Sequence, residues 1–100
     1  MDEDELERLA LIGKALSDPN RLRILLNFRG RTLSISSMTE ELETYQSNLS
    51  YHIAILVKAG LVKRVDTGRW HYYALDTDSL DLVRTLVTQC SRRGRGRRQE

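Results

Sequence analysis

Cysteine and histidine are scarce in this chain, which has one cysteine and two histidines among its 100 residues. A single cysteine excludes a disulfide bond within the chain. No apolar run approaches the roughly 18 residues that cross a bilayer, and the acidic start lacks the basic segment of a secretion signal. We therefore expect a cytoplasmic protein that has no membrane partner.

Residue patterns typical of catalysis are also missing. The sequence offers no nucleophile beside a positioned base, no paired carboxylate site and no glycine-rich phosphate loop. One hundred residues form one domain at most, and the core of such a domain is modest. We expect neither an enzyme nor a bound cofactor.

Charge is distributed unevenly along the chain, although the net charge is only +2. The first seven residues contain five acidic side chains, whereas the last ten contain five arginines and one glutamate. Residues 1–90 therefore carry a net charge of −2, so any affinity for nucleic acid must come from local patches. The last ten residues have no apolar pattern, which predicts a folded domain at 1–90 and a disordered arginine-rich tail at 91–100.

Apolar residues at spacings of three and four predict two helices at the start of the chain. The first extends over Glu5–Leu16 and has one apolar stripe. The second begins at Asp18 and Pro19, because aspartate caps free backbone N–H groups and proline is tolerated at the first helical position. Leu22, Leu25 and Leu26 follow, and Gly30 is expected to end this helix.

Two further helices follow in the middle of the chain. A short one is predicted over about Ser36–Leu42, capped by Ser34 or Ser36. The inward residues of this helix are expected to be Ile35, Met38 and Leu42. The next one begins near Thr44 or Tyr45 and reaches Ala59, after which Gly60 supplies a left-handed stop.

The fourth helix has a buried face and an outward face when its residues are placed at 100° intervals. Ile53 and Leu56 lie within about 40° of Leu49, and the three residues predict a core-facing stripe. Gln46 and His52 border this stripe, so we expect His52 to be structural rather than a reader of bases. The residues on or beside the outward face are Ser47, Asn48, Ser50, Tyr51, Ala54 and Lys58.

A β-hairpin is predicted after the fourth helix, from runs at Leu61–Val65 and Arg69–Leu75. The residues between these runs include Gly68, which can take the positive φ that a hairpin turn requires. Along the second run Trp70, Tyr72 and Ala74 alternate with Arg69, His71 and Tyr73, so that one face is packed. We expect the aromatic side chains to cover the core rather than to stack on nucleobases.

The last helix follows a turn at 76–79 and carries a wide apolar stripe. This stripe comprises Leu80, Leu82, Val83, Leu86, Val87 and Cys90. Apolar stripes on both terminal helices exceed what one small core can absorb, which predicts a homodimer. The expected interface residues are Leu6, Leu9, Gly13, Leu80, Val83 and Val87. We expect Cys90 to be a small apolar core residue.

Two short helices followed by a basic hairpin indicate a winged helix-turn-helix, mainly α with a two-stranded wing. Such proteins place the second helix of the pair in the major groove of double-stranded DNA, and a basic hairpin lies along the backbone or the minor groove. The expected DNA contacts on the helix are Gln46, Ser47, Asn48, Ser50 and Tyr51. Those on the wing are Lys63, Arg64 and Arg69.

Four motifs occur in order within positions 6 to 90. They are Ala-Leu-Ser-Asp-Pro-x-Arg-Leu-x-Ile-Leu at 15–25, Gln-Ser-x-Leu-Ser-x-His-Ile at 46–53, Leu-x-x-Ala-Gly-Leu-Val at 56–62 and Gly-Arg-x-x-Tyr-Tyr-x-Leu at 68–75. The ordered set resembles the arsenical-resistance repressor (ArsR/SmtB) family. This resemblance implies a homodimeric winged-helix repressor on a palindromic operator, often released by a metal ion, an oxidant or another inducer.

The chain departs from the family pattern at its sensing sites. The family's soft-metal site on the third helix uses a Cys-x-Cys type pair, and the matching residues 34–38 contain no thiol. The family's site on the last helix uses Asp, His and Glu; Asp76, Asp78 and Asp81 are present, but neither histidine lies there. The dithiol redox sensors of the family need two cysteines per subunit, and this chain has only Cys90. We therefore expect no metal site, and the sequence does not identify an inducer.

A second departure lies in the turn before the fourth helix, where Glu43 replaces the family's usual glycine. We interpret the chain as a sequence-specific repressor acting as a homodimer. Three alternatives stay open: an architectural DNA-binding protein of low specificity that uses its arginine tail, a protein-interaction module, and a regulator that responds through the Cys90 thiol.

Overall fold

The computed structural model describes residues 1–92, and these form five helices and one two-stranded antiparallel sheet. In chain order the elements are α1 (Glu3–Ala15), α2 (Pro19–Phe28), α3 (Ile35–Leu42), α4 (Gln46–Lys58), β1 (Val62–Thr67), β2 (Trp70–Leu75) and α5 (Thr77–Cys90). The predicted mainly α architecture with a β-hairpin is confirmed. Apart from Ser91 and Arg92, the predicted tail lies outside the described residues.

Side-chain caps determine where most of the helices begin. The capping residues are Asp2, Asp18, Ser34 and Asp76, each of which accepts a hydrogen bond from a backbone N–H of the first turn. Glu5 completes a capping box with Asp2, and α1 therefore begins two residues earlier than predicted. The Asp76 cap likewise makes Thr77 the first residue of α5 instead of part of a turn.

Two helices end in left-handed residues that are not glycine. Arg29 ends α2 with a φ of 50° and precedes Gly30, so the left-handed turn begins one residue before the predicted glycine. Glu43 ends α3 with a φ of 52°. The N–H of Thr44 donates to the carbonyl of Thr39 at 3.1 Å, as in a Schellman cap. The turn between α3 and α4 thus forms without the family's glycine.

The core lies between α4, the other helices and the start of the hairpin. The predicted stripe of α4 is confirmed, since Leu49, Ile53 and Leu56 are all buried. On α2 the buried residues are Ile24 and Phe28. The α2 leucines lie further out, and Leu22 and Leu26 are exposed. None of the helices within residues 1–92 is long and apolar enough to span a membrane.

The hairpin is a regular antiparallel pair in which Val62 lies opposite Leu75 and Asp66 lies opposite His71. Its turn consists of Gly68 and Arg69, and Gly68 has the expected positive φ of 60°. Strand residues alternate between two faces. The packed face of β2 carries Tyr73.

The expectation that the aromatic residues of the hairpin cover the core is confirmed for Tyr73 and wrong for Trp70. Trp70 is 64% exposed because it occupies the other face, near the tip of the hairpin. Tyr73 also forms two backbone hydrogen bonds with Leu33, of 2.7 and 2.8 Å. These bonds attach the segment before α3 to β2, and so they fix the hairpin against the helix pair.

Cys90 is exposed in the described chain, so the expectation of a core position is wrong for the single subunit. The buried residues of α5 are Ser79 and Leu82, both in its first two turns. The C-terminal part of α5 extends beyond the core, and Val87 is 58% exposed there. The apolar stripe of α5 is therefore longer than the core that it covers.

A close contact joins the end of α4 to the start of α5. Gly60 has a φ of 78°, and the buried Ser79 hydroxyl donates to its carbonyl at 2.5 Å. A Cβ added at Gly60 would lie 3.1 Å from Ser79 Oγ, whereas one added at Gly68 would meet no atom within 4 Å.

Replacing Gly60 by alanine should lower the free energy of unfolding by about 1 to 3 kcal/mol, since the left-handed backbone is strained and the Ser79 hydroxyl must move. Gly68→Ala carries only the backbone strain and serves as the control. Urea denaturation measures both. Equal losses in the two variants would show that the Ser79 contact has no effect.

Candidate DNA-binding surface

The outward face of α4 forms a continuous exposed surface of polar and small side chains. Its exposed residues are Gln46, Ser47, Asn48, Ser50, Tyr51, Ala54 and Lys58. Tyr51 is 64% exposed. Every helix residue that the sequence predicted to contact DNA is therefore accessible, and none of these side chains is acidic.

His52 lies at the border of the core, as predicted, and is partly buried. The guanidinium of Arg21 lies 3.2 Å from His52 Nδ1. A guanidinium only donates, so we assign Nδ1 as the acceptor of this hydrogen bond. Arg21 also donates to the Ala15 carbonyl at 2.6 Å. His52 thus connects α4 to the junction of α1 and α2.

The first turn of α4 differs from those of the other helices in residues 1–92. Tyr45 occupies the cap position, but its side chain makes no capping hydrogen bond and is 80% exposed. Like the first turns of α2 and α3, that of α4 contains no acidic residue. Free N–H groups and the positive end of the helix dipole favour a phosphate nearby. Sequence analysis treated Tyr45 only as a possible helix start, although an aromatic residue at a cap position is itself an unusual signal.

One flank of α4 faces the wing, which we define as β1, β2 and their turn. A cleft of about 660 Å³, which we call the wing cleft, separates them. Its lining residues are Ser34, Ile35, Ser36, Gln46, Ser50, Arg69, Trp70, His71, Tyr72 and Tyr73. The structure therefore brings Gln46 and Ser50 together with Arg69, as expected for one surface. Trp70, which sequence analysis assigned to the core, also lines this cleft.

The three cations predicted on the wing occupy different environments. Arg64 Nε donates to Asp66 Oδ1 at 3.0 Å, and Arg64 Nη2 lies 2.8 Å from His71 Nδ1 and 3.1 Å from His71 Nε2. His71 Nδ1 lies 2.8 Å from the same carboxylate oxygen, to which we assign it as donor. Arg64 is thus paired with a carboxylate that it shares with His71. Lys63 and Arg69 are exposed, but Lys63 lies on the opposite face of β1 from Arg64.

The Arg64–Asp66–His71 cluster changes the titration of its carboxylate. Hydrogen bonds from His71 and then from Arg64 hold the pKa of Asp66 below its ordinary value. A similar effect occurs on α3, where the hydrogen bond from Arg31, 2.8 Å long, lowers the pKa of Glu41. A carboxyl group whose pKa is lower in the folded state stabilises the fold above its unfolded-state pKa, and this contribution disappears as the pH falls through the folded pKa.

A second cleft, of about 270 Å³, lies on the other flank of α4, between this helix and α2. Its polar lining residues are Asn20, Arg23, Thr44, Asn48 and His52. Sequence analysis identified Asn48 but missed Arg23, because the helix pattern of α2 does not show which of its polar residues faces α4.

The residues predicted for the dimer interface divide into two groups. Leu9, Leu80 and Val83 are partly buried and pack against the core of their own chain. Leu6 and Val87 are 45% and 58% exposed, respectively. A side chain added at Gly13 would meet no atom within 4 Å. The surface of α1 and α5 around Leu6, Gly13 and Val87 is therefore not covered by the chain itself.

The family's metal sites do not fit the side chains present. Residues 34–38 supply hydroxyls in place of thiolates, and the Asp76 carboxylate is occupied as the cap of α5. Within residues 1–92, no three His, Cys, Asp or Glu side chains are grouped so as to hold a metal ion.

Comparison with known proteins agrees with this geometry. A family model described as a helix-turn-helix domain matches residues 16–65. The arsenical resistance operon repressor of Bacillus subtilis is 36% identical, over 96% of this chain and 95% of the repressor. The chain belongs to the ArsR/SmtB family of winged helix-turn-helix transcriptional regulators.

Two further relatives support this assignment. The uncharacterized HTH-type transcriptional regulator MJ1325 of Methanocaldococcus jannaschii is 34% identical, over 86% of this chain and 98% of that protein. The structure of an ArsR-like regulator from Rhodococcus sp. RHA1 superimposes with a TM-score of 0.77 at 30% identity, and the match covers 86% and 82% of the two chains. Relatives of this ArsR-family protein are thus DNA-binding transcriptional regulators.

His71→Ala should raise the pKa of Asp66 toward its ordinary value, because it removes the hydrogen bond that lowers this pKa most. Carbon-detected NMR titration of the side-chain carboxyl groups measures this shift. The Glu41 carboxyl, held by Arg31 on α3, serves as the internal control and should titrate as in the wild type. An unchanged Asp66 titration would show that Arg64 alone sustains the cluster.

Proposed function

We propose that this protein is a sequence-specific repressor that acts as a homodimer on a palindromic operator. This proposal rests mainly on the outward face of α4, where exposed hydrogen-bonding side chains lie beside an uncapped helix N-terminus and the wing cleft. Hydroxyl and amide side chains bond both to base edges and to phosphates. The buried stripe on the opposite side fixes which residues face outward.

Ser47 and Tyr51 are central to this proposal because they lie one helical turn apart on the outward face. Ser47 is positioned to reach a base edge or a phosphate, and the Tyr51 hydroxyl a phosphate. The ring of Tyr51 also stands edge-on to that of His52, with 5.2 Å between the centroids. A Tyr51→Phe change keeps this ring contact and removes only the hydroxyl.

Ser47→Ala and Tyr51→Phe should each weaken binding to a selected operator duplex by about 1 kcal/mol or more, and should leave stability within about 0.5 kcal/mol. His52→Ala is the control, and it should instead lower stability, since Arg21 loses the hydrogen bond that joins it to α4. Fluorescence anisotropy and thermal melting separate the two effects. Normal binding by both hydroxyl variants, with binding lost in a stable His52→Ala protein, would contradict the proposed face.

The homodimer is proposed from the uncovered surface of α1 and α5. Leu6, Gly13 and Val87 are exposed on these two helices, and a second copy would cover them symmetrically. A twofold dimer carries two copies of α4, and proteins of this kind read half-sites about one helical turn of DNA apart or a multiple of it. The palindromic operator follows from this symmetry.

The wild-type protein should sediment at twice its chain mass of 11.6 kDa, and Val87→Glu should sediment as a folded monomer. Leu26→Glu is the matched control, because Leu26 is 75% exposed but lies on α2, outside the proposed interface. Sedimentation of the wild type at the single-chain mass would contradict the dimer. Dissociation of both variants alike would place the interface elsewhere.

We also propose that DNA binding requires no metal ion, because the residues at the family's two metal positions supply hydroxyls and a capping carboxylate. The arginine tail supports one different function, an architectural protein of low specificity. Equal affinity for a selected duplex and for duplex of mixed sequence would favour that function over the repressor.

A further inference from the structure

The flank of α4 that faces away from the wing has the features of an anion site. We call the cleft there, between α2 and α4, the α2 cleft. Its lining residues are Asn20, Arg23, Ile24, Leu42, Thr44, Asn48, Leu49 and His52. None of them is acidic. The cleft therefore combines a cation with amide and hydroxyl groups and with no carboxylate in its lining.

Arg23 is oriented by a residue of its own helix. Its Nη1 donates to Asn20 Oδ1 at 2.8 Å. Among residues 1–92, Arg23 takes part in no ion pair, in contrast to Arg21, Arg31, Arg64 and Arg84. The amide of Asn20 is neutral, so it positions the guanidinium without neutralising it. The remaining N–H donors of Arg23 are available to an anion.

The dimensions of the major groove determine which anion lies beside this flank. An α-helix is about 10–12 Å wide with its side chains, and the groove is about 12 Å wide. A helix in the groove therefore has one phosphate backbone along each flank. The wing cleft lies on one flank of α4 and the α2 cleft on the other, so each would face one of these backbones.

We propose that the α2 cleft binds a phosphate of the DNA strand opposite the one that contacts the wing, with Arg23 as its cation. The proposal rests on the proposed function, because it requires α4 to lie in the major groove. Thr44 and Asn48 supply neutral donors to the same phosphate. The wing and α2 then hold α4 from both sides and set its position across the groove.

Salt dependence tests this assignment without knowledge of the operator. Each phosphate contact contributes about 0.9 to the slope of log K against log salt concentration on B-DNA. The probe is a fluorescein-labelled duplex of mixed sequence, titrated between about 50 and 200 mM salt. Arg23→Gln should reduce the slope by about 0.9 for each subunit bound, at an unchanged melting temperature. Arg23→Lys should restore the slope, because lysine keeps the charge.

Arg8→Gln is the matched control, since it removes the same charge from an exposed position on α1, outside both clefts. It should keep the wild-type slope. A wild-type slope for Arg23→Gln, or an equal reduction for Arg8→Gln, would overturn the proposal. Saturable binding of inorganic phosphate that needs Arg23, together with an unchanged slope on DNA, would assign the cleft to a free anion and also overturn it. Absence of salt-dependent binding by the wild type would instead contradict the proposed function.

Discussion

The buried stripe of α4 is the constraint on which the rest of the surface depends. Leu49, Ile53 and Leu56 are each at most 2% exposed, and burying such side chains contributes about 1.5–3 kcal/mol apiece. A helix fixed this strongly has one orientation about its axis, so its polar residues must face outward. His52 reinforces this orientation, because its hydrogen bond with Arg21 attaches the border of the helix to α2. The side chains proposed to contact DNA are therefore held by groups that never touch it.

Two attachments outside α4 then define its flanks. The backbone bridge between Leu33 and Tyr73 holds the wing beside the start of α3, and this contact creates the wing cleft. On the other side, Ile24 packs α2 into the core and leaves Arg23 at the rim of the α2 cleft. The wing does not present all of its positive charge, because Asp66 and His71 engage Arg64. Exposed charge beside α4 is thus concentrated at a few positions, in a chain whose first 90 residues are net negative.

Local signals were sufficient to predict the five helices, the Asp18 cap and the outward face of α4, because each depends on residues within a few positions of one another; the caps at Asp2 and Asp76 were missed. Asp18 with Pro19 and the three-four spacing of the α4 stripe are of this kind. Contacts between distant segments were not predictable: nothing near Arg23 or Arg64 in the sequence indicates Asn48 or His71. The position of Cys90 was not predictable for the same reason. The apolar pattern of α5 continues to Cys90, but the core of the single chain ends near Leu82.

Dimethyl sulfate footprinting tests the central claim, that the outward face of α4 reads the major groove. The reagent methylates guanine N7 in the major groove and adenine N3 in the minor groove, so one experiment reports on both. On the best duplex selected from a random pool, the account predicts protected guanine N7 atoms in two patches whose centres lie about 10–10.5 base pairs apart or a multiple of this. Protection confined to adenine N3, with every guanine N7 reactive, would contradict it.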